Sequence, residues 1–224
     1  MNILRTSAFR NIRRTTFPIA FLMLILPAAF LASRFHFETM YRVLLPVSAV
    51  VTTLRLLMMV SLSNHLAEAS SASVHFYHAK NWILMQCVTD AAALLMNVAV
   101  TATKTMFEQA QEMRHILMIT GFLVYLAVIQ SFDTLAKKRL LHGFDEVWYL
   151  CGGESAQSRA FRLTQILQYL GCMLLLPFAV LIGLHRLTAA YLMAGGAFLL
   201  ILTVQFRISI HAKDLAQLLA DISE

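Results

Sequence analysis

Six stretches of almost uninterrupted apolar residues, separated by short polar segments, dominate the chain. Each stretch has about 20 residues, the length that a helix needs to cross a hydrocarbon layer of about 30 Å. Backbone polar groups cannot stay unpaired in lipid, so such stretches are expected to be helical. We therefore predict an all-α, polytopic integral membrane protein with six transmembrane helices, at residues 17–34, 40–62, 82–103, 115–132, 163–184 and 187–206.

The polar segments between these spans arrange them as three hairpins. The longest connections, 63–81 and 133–162, are too short for a sizeable soluble core, so we predict one membrane domain over residues 1–224. Its parts are a basic amphipathic segment (1–16), a six-helix bundle (17–206) and an amphipathic tail (207–224). The Ser-rich middle of 63–81 predicts a mobile loop, and the fourth helix could continue through Leu141.

Charge indicates the orientation of the hairpins. If the N-terminus is cytoplasmic, 12 of the 18 Lys and Arg residues lie on the cytoplasmic side and five on the opposite side. Positive charge accumulates on cytoplasmic loops, so we predict an N-in, C-in topology. The formal net charge of +6 follows from this topology, and we expect no nucleic-acid partner.

The start of the chain predicts an anchor that is retained. The apolar run after the basic segment is long enough to span a membrane and lacks a small-residue cleavage site. We expect a location in the plasma or inner membrane, in a bacterium. The three cysteines form no CxxC motif and are odd in number, so no disulfide framework or zinc site is expected.

Two charged residues within the spans form the main candidate site. Arg55 lies seven residues before the end of the second span and Asp90 lies eight residues into the third. At about 1.5 Å per residue, both lie about 10–12 Å deep on adjacent antiparallel helices, so they could pair. The pair could be a structural contact between two helices or a proton- or substrate-linked site. Alternatively, Arg55 could extend toward the interface without meeting Asp90.

The third span is the most polar one. Gln86, Asp90, Asn97 and Thr101 follow one another at spacings of four, seven and four residues, which places them on one helix face. Polar side chains on spans commonly hydrogen-bond between helices. This face could line a cavity, or the helix could lie at the centre of the bundle.

The two ends of the chain are amphipathic. In the N-terminal segment, Arg10, Arg13 and Arg14 lie opposite an apolar face, a pattern typical of a helix at a membrane surface. The apolar stripe of the tail could lie on lipid, pack under the bundle or dock a partner. It has no basic face that would favour lipid, so we expect it to contact protein: a partner, or a second copy of this chain. The stripe consists of Ile208, Ala212, Leu215, Leu219 and Ile222.

Sequence motifs for chemistry are missing. The chain has no phosphate-binding glycine loop, no GxSxG and no HExxH. His65, Glu68, His75 and His78 share one connection, but its Ser-rich middle would not hold them together around a metal. We therefore predict no catalytic, cofactor-binding or metal-binding residues and do not expect an enzyme.

The topology favours a transport or permease-type subunit that has no nucleotide site and works with a separate ATPase. In layout it resembles the six-span permeases of ABC-2-type exporters. Those permeases carry a sizeable segment between the fifth and sixth spans, which this chain lacks. The alternatives are a non-catalytic scaffold subunit of a larger complex, and an oligomeric channel or membrane-perturbing effector. An intramembrane enzyme is a further alternative, which the lack of a catalytic motif disfavours.

Overall fold

The structure, a computed structural model, describes residues 3–32, 37–102, 111–153, 155–183 and 187–222. Every regular element in these ranges is an α-helix, so the all-α prediction and the order of six helices are confirmed for them. The helices are α1 (Ile3–Ala32), α2 (Phe37–Ala69), α3 (Val74–Ala102), α4 (Gln111–Leu150), α5 (Ser155–Gly183) and α6 (Leu187–Asp221).

The helices are longer than the predicted spans. α2 continues past Leu62 to Ala69, and α3 begins at Val74, eight residues before the third span. The prediction of a mobile 63–81 loop is therefore wrong, since only a tight turn separates the two helices. The alternative of a longer fourth helix is confirmed, and α4 extends beyond Leu141 to Leu150.

Local sequence explains the turn between α2 and α3 and the end of α4. Ser73 caps α3, because its hydroxyl accepts a hydrogen bond from the backbone N–H of His75 at 3.1 Å. After α4, Gly152 has a φ of 72°, and the N–H groups of Gly152 and Gly153 bond back to the carbonyls of Tyr149 and Trp148. This is the Schellman arrangement that ends many helices, and glycine suits its left-handed position.

The helices form a closed ring. Each helix packs against the next in chain order, α6 packs against α1, and α4 also touches α6. The starts of α1, α3 and α5 and the ends of α2, α4 and α6 meet at one end of the ring. We call this the basic end, because most lysines and arginines lie there.

An aromatic cluster fills the ring at the basic end. Phe9 packs edge-to-face on Phe76 with ring centroids 5.5 Å apart, and Phe144 lies between Phe9 and Phe161 at 6.2 and 6.3 Å. All four rings are buried. They come from α1, α3, α4 and α5 at positions outside the predicted spans, so this core lies on parts of the helices that extend beyond those spans.

The tail is part of this core. Ile208, Ala212, Leu215 and Leu219 are buried in the same cluster, and only Ile222 of the predicted stripe is exposed. The N-terminal segment behaves alike: α1 runs through residue 16 without a break, with Ala8 and Ile12 buried. Both amphipathic faces therefore pack on the chain's own helices, and contact of the tail or loops with a partner stays a prediction.

Away from the basic end, large apolar side chains point outward. Leu57 is 60% exposed, Val88 66% and Leu199 62%. Two segments of the described chain, Pro46–Ala69 and Gly195–Asp221, are long and apolar enough to cross a membrane by length and composition. The protein thus has helices compatible with a membrane location.

Candidate functional site

The predicted pair of Arg55 and Asp90 forms. Arg55 Nε lies 3.4 Å from a carboxylate oxygen of Asp90, across the contact between α2 and α3. Asp90 is fully buried and the Arg55 side chain is about one-fifth exposed. A buried carboxylate is costly unless it is paired, and the guanidinium of Arg55 supplies an opposite charge beside it.

Gln86 lies one turn before Asp90 on the same face of α3 and is also fully buried. Neither its amide nitrogen nor its amide oxygen has a hydrogen-bond partner within the described part of the chain. A buried amide without partners costs free energy, and native proteins usually satisfy such groups with protein, water or a ligand. The site therefore offers one unused donor and one unused acceptor beside an ion pair.

Asn97 and Thr101 were predicted to extend this face. Both lie on the helical path of α3, but their side chains fall outside the described residues. The structure therefore brings together Arg55, Gln86 and Asp90 of the predicted site.

A second polar cluster joins α4 and α5, and sequence reasoning missed it. Lys137 Nζ lies 2.6 Å from Asp133, and Gln168 donates to the same carboxylate oxygen at 3.1 Å. Thr134 Oγ1 lies 2.9 Å from the sulfur of Cys172. The i, i+4 spacing of Asp133 and Lys137 on the possible extension of the fourth helix was the available signal, but both residues were assigned to a connection and were not considered as a pair.

A third network holds α6 against α5 at the basic end. Thr164 donates to the Ala160 carbonyl at 2.8 Å and accepts from Arg207 Nε at 2.9 Å. His211 Nε2 lies 3.0 Å from the same hydroxyl. A hydroxyl has one proton, so His211 must donate here from Nε2, and its Nδ1 is left as an acceptor.

Gln157 completes this assignment. Its amide nitrogen donates to Asp214 at 2.9 Å and lies 3.3 Å from His211 Nδ1. If the imidazole of His211 is neutral and carries its proton on Nε2, each of these contacts pairs a donor with an acceptor. Burial, and then the positive charge of Arg207, lower the pKa of His211 to about 4. His211 lies beyond residue 206, where the sixth span is predicted to end.

An open cleft of about 370 Å³ lies at the rim of the basic end, lined by charged residues of α4 and α5 and by His75 and His142. The two imidazoles lie 5.7 Å apart. Burial and then the neighbouring His75 lower the pKa of His142, with smaller effects of Lys138 and Arg139. The cleft therefore holds two closely spaced imidazole rings.

The described residues contain no group of three or more His, Cys, Asp or Glu side chains that could hold a metal ion. His65 pairs with Glu68 at 3.6 Å, whereas His75 faces His142 of another helix. The histidines of the 63–81 segment are thus divided between separate contacts. No disulfide joins Cys87, Cys151 and Cys172.

Comparison of the chain with protein-family models, with curated proteins and with solved structures gives no match.

Proposed function

We propose that this protein is a six-span, N-in/C-in membrane subunit of the transport or permease type, with Arg55, Gln86 and Asp90 as its intramembrane polar site. The observation that carries the proposal is the fully buried Gln86 amide, which has no partner among the described residues and lies one turn from the Arg55–Asp90 pair. Ionisable groups inside a membrane domain usually mark a pathway, a relay or a partner charge.

Aromatic contacts support the membrane placement. Phe17 begins the first predicted span and Phe206 ends the sixth, and their rings are 5.8 Å apart. Trp82 begins the third and Phe132 ends the fourth, and their rings stack at 5.7 Å. Span ends that were assigned independently from hydropathy therefore coincide in space. Aromatic rings at such a level are typical of a membrane–water interface.

The exposed apolar faces of the helices support it too. Side chains such as Leu57, Val88 and Leu199 would contact water in a soluble protein, and monomeric soluble proteins rarely expose large contiguous apolar surfaces. A hydrocarbon layer would cover them. The well-packed basic end would then project beyond the membrane at the side predicted to be cytoplasmic.

The polar site has the chemistry to bind a small polar group or to hold a water. Gln86 offers an amide donor and an acceptor, and Asp90 and Arg55 offer a negative and a positive group in the same region. A ligand that hydrogen-bonds to the Gln86 amide would supply the partners that the amide lacks in the protein alone. We assign the site to substrate or proton recognition during transport.

Purification from the native host in mild detergent or nanodiscs tests the permease assignment. Mass spectrometry of the tagged protein should identify a bound ATP-hydrolysing subunit, because the chain has no nucleotide motif of its own. Isolation as a homo-oligomer without such a subunit would contradict this assignment and favour a channel.

The role of the site is tested with Gln86→Leu. Removing a buried amide without partners should keep or raise the thermal stability of the protein. ATP hydrolysis by the purified complex should nevertheless fall at least about tenfold if Gln86 contacts the transported species. Gln165→Leu, on α5, is the matched control and should preserve activity. Equal activity of Gln86→Leu and wild type would contradict the assignment.

One observation favours the scaffold alternative. At the end of α4, Tyr149 is 78% exposed and Leu150 is 70% exposed, although they project from the basic end, where lipid would not cover them. Exposed aromatic and aliphatic side chains of this kind are typical of protein contacts. Tyr149→Ser/Leu150→Ser should release a docked partner in the same purification, whereas unchanged recovery of the partner would exclude this contact.

A further inference from the structure

An open cleft with a volume of about 570 Å³ separates the first turns of α1 from the last turns of α6. Arg10, Arg13 and Arg14 of α1 and Lys213 of α6 line it, and all four are exposed. The described residues that line the cleft include no carboxylate, so four positive charges face one opening. Arginine binds phosphate with two parallel hydrogen bonds, which makes the cleft chemically suited to a phosphate group.

The inner wall of the cleft is apolar. Phe17 and Pro18 line it below the cations. Phe17 packs on Phe21 at 5.1 Å and on Phe206 at 5.8 Å, and Phe17 and Phe21 are about half exposed. The aromatic surface therefore continues from the cleft along α1, toward the predicted hydrocarbon layer.

The spacing along α1 matches the dimensions of a lipid. Arg13 and Arg14 precede Phe17, the predicted membrane boundary, by three or four residues, which is about 5–6 Å along a helix. The headgroup layer on each side of a bilayer is about 5–8 Å thick, so these arginines lie at the level of lipid phosphates. Arg10 and Lys213 lie one turn further out.

We propose that this cleft binds one anionic phospholipid, whose phosphate lies among Arg10, Arg13, Arg14 and Lys213 and whose acyl chain follows Phe17, Phe21 and Phe206. The proposal rests on the membrane placement proposed above. Inorganic phosphate could bind the same cations, but it has no apolar part that would contact the continuous aromatic wall. Basic pockets between helices on the cytoplasmic side are suited to anionic headgroups.

The test uses the full chain in nanodiscs of phosphatidylcholine with about one-tenth phosphatidylglycerol, a fraction low enough for bulk charge attraction to stay weak. Native mass spectrometry counts the lipids that stay bound after release into detergent. Wild type should retain one phosphatidylglycerol. Arg10→Gln/Arg13→Gln/Lys213→Gln should weaken this retention roughly tenfold or more, since each basic residue contributes several-fold to the attraction.

The matched control removes two arginines and one lysine elsewhere at the basic end: Lys138→Gln/Arg139→Gln/Arg159→Gln. It should retain the lipid as wild type does. An equal loss in both triple variants, or no preference of wild type for phosphatidylglycerol, would overturn the proposal. Displacement of the lipid by millimolar inorganic phosphate would assign the cleft to a soluble anion and would also overturn it.

Folding and membrane insertion are checked separately. Lys213→Glu changes one exposed side chain and should reduce retention of the lipid, whereas Lys138→Glu should not. These single variants test the site even if a triple variant fails to fold. Failure of the wild-type protein to incorporate into nanodiscs would refute the membrane placement and, with it, the lipid site. Incorporation without lipid selectivity would refute the lipid site alone.

Discussion

Arg55 and Asp90 lie where a single charge would be costly, so each depends on the other. Their 3.4 Å contact joins α2 to α3 within the predicted membrane layer. Gln86, beside them, has no such compensation from the described residues. At the scale of single residues, the ion pair joins two helices, whereas the Gln86 amide makes no such contact and is the residue on which the proposed function depends.

A double-mutant cycle measures the ion pair. Asp90→Asn and Arg55→Gln should each lower the free energy of unfolding by about 3 kcal/mol, because each removes the oppositely charged partner of a fully or largely buried group. The double variant should be more stable than the sum of the two losses predicts, with a coupling of about 1 kcal/mol or more. Reversible unfolding in mixed micelles gives these values. Additive losses would show that the two side chains do not interact.

The lowered pKa of His211 makes the stability of the folded protein depend on pH. Its pKa is lowered to about 4 in the folded protein, and its ordinary value is 6.5, so between these values the unfolded chain binds more protons. The contribution of neutral His211 to the free energy of unfolding is complete above pH 6.5 and is lost as the pH falls toward 4. From pH 7 to pH 5 this loss amounts to about 2 kcal/mol.

His211→Gln should remove this part of the pH dependence, because glutamine does not titrate. Thermal unfolding of the purified protein at several pH values gives the slope. The control His78→Gln changes an exposed histidine and should keep the wild-type slope. If His211→Gln showed the same slope as wild type, the neutral, hydrogen-bonded form of His211 would be wrong.

At the scale of the helices, hydropathy predicted where apolar segments lie but not where helices end. The spans at 40–62 and 115–132 fall inside α2 and α4, which extend further by seven and 18 residues. The α4 extension mixes charged and apolar residues, so its hydropathy does not mark it as part of the span. The end of α4 at Gly152–Gly153 differs from these ends, because glycine is a local signal in the sequence.

The packing of α3 on α4 depends on a position without a side chain. A Cβ atom at Gly143 would lie 2.6–2.9 Å from ring atoms of Phe76. Gly143→Ala should therefore lower the free energy of unfolding by about 1–3 kcal/mol through overpacking. Gly195→Ala, on α6, meets no atom within 4 Å and should be neutral or stabilising by up to about 1 kcal/mol. Equal stability of the two variants would contradict the packing of Phe76.

At the scale of the whole molecule, the ring of six helices divides into two zones. The basic end has a buried aromatic core, and described residues away from it, such as Leu57, Val88 and Leu199, present apolar side chains outward. Sequence reasoning found the pairing of Arg55 with Asp90, since depth along two adjacent helices can be counted. It could not find the contact of Thr164 with His211, because those residues are 47 positions apart and follow no local pattern.

Cysteine labelling tests most directly the central claim that the six helices cross a membrane with the basic end inside. Cys87, Cys151 and Cys172 are replaced by alanine, and single cysteines are introduced at Asn64, Ser155, Glu108, Leu57 and Val88. A membrane-impermeant maleimide is then applied to intact and to permeabilised cells.

We expect Glu108→Cys to react in intact cells, and Asn64→Cys and Ser155→Cys to react only after permeabilisation. Leu57→Cys and Val88→Cys should stay unreactive in both conditions until the protein is unfolded, because lipid covers them. Rapid labelling of Leu57→Cys and Val88→Cys in the folded protein would contradict the account and would indicate a helical bundle whose apolar faces are not in a membrane.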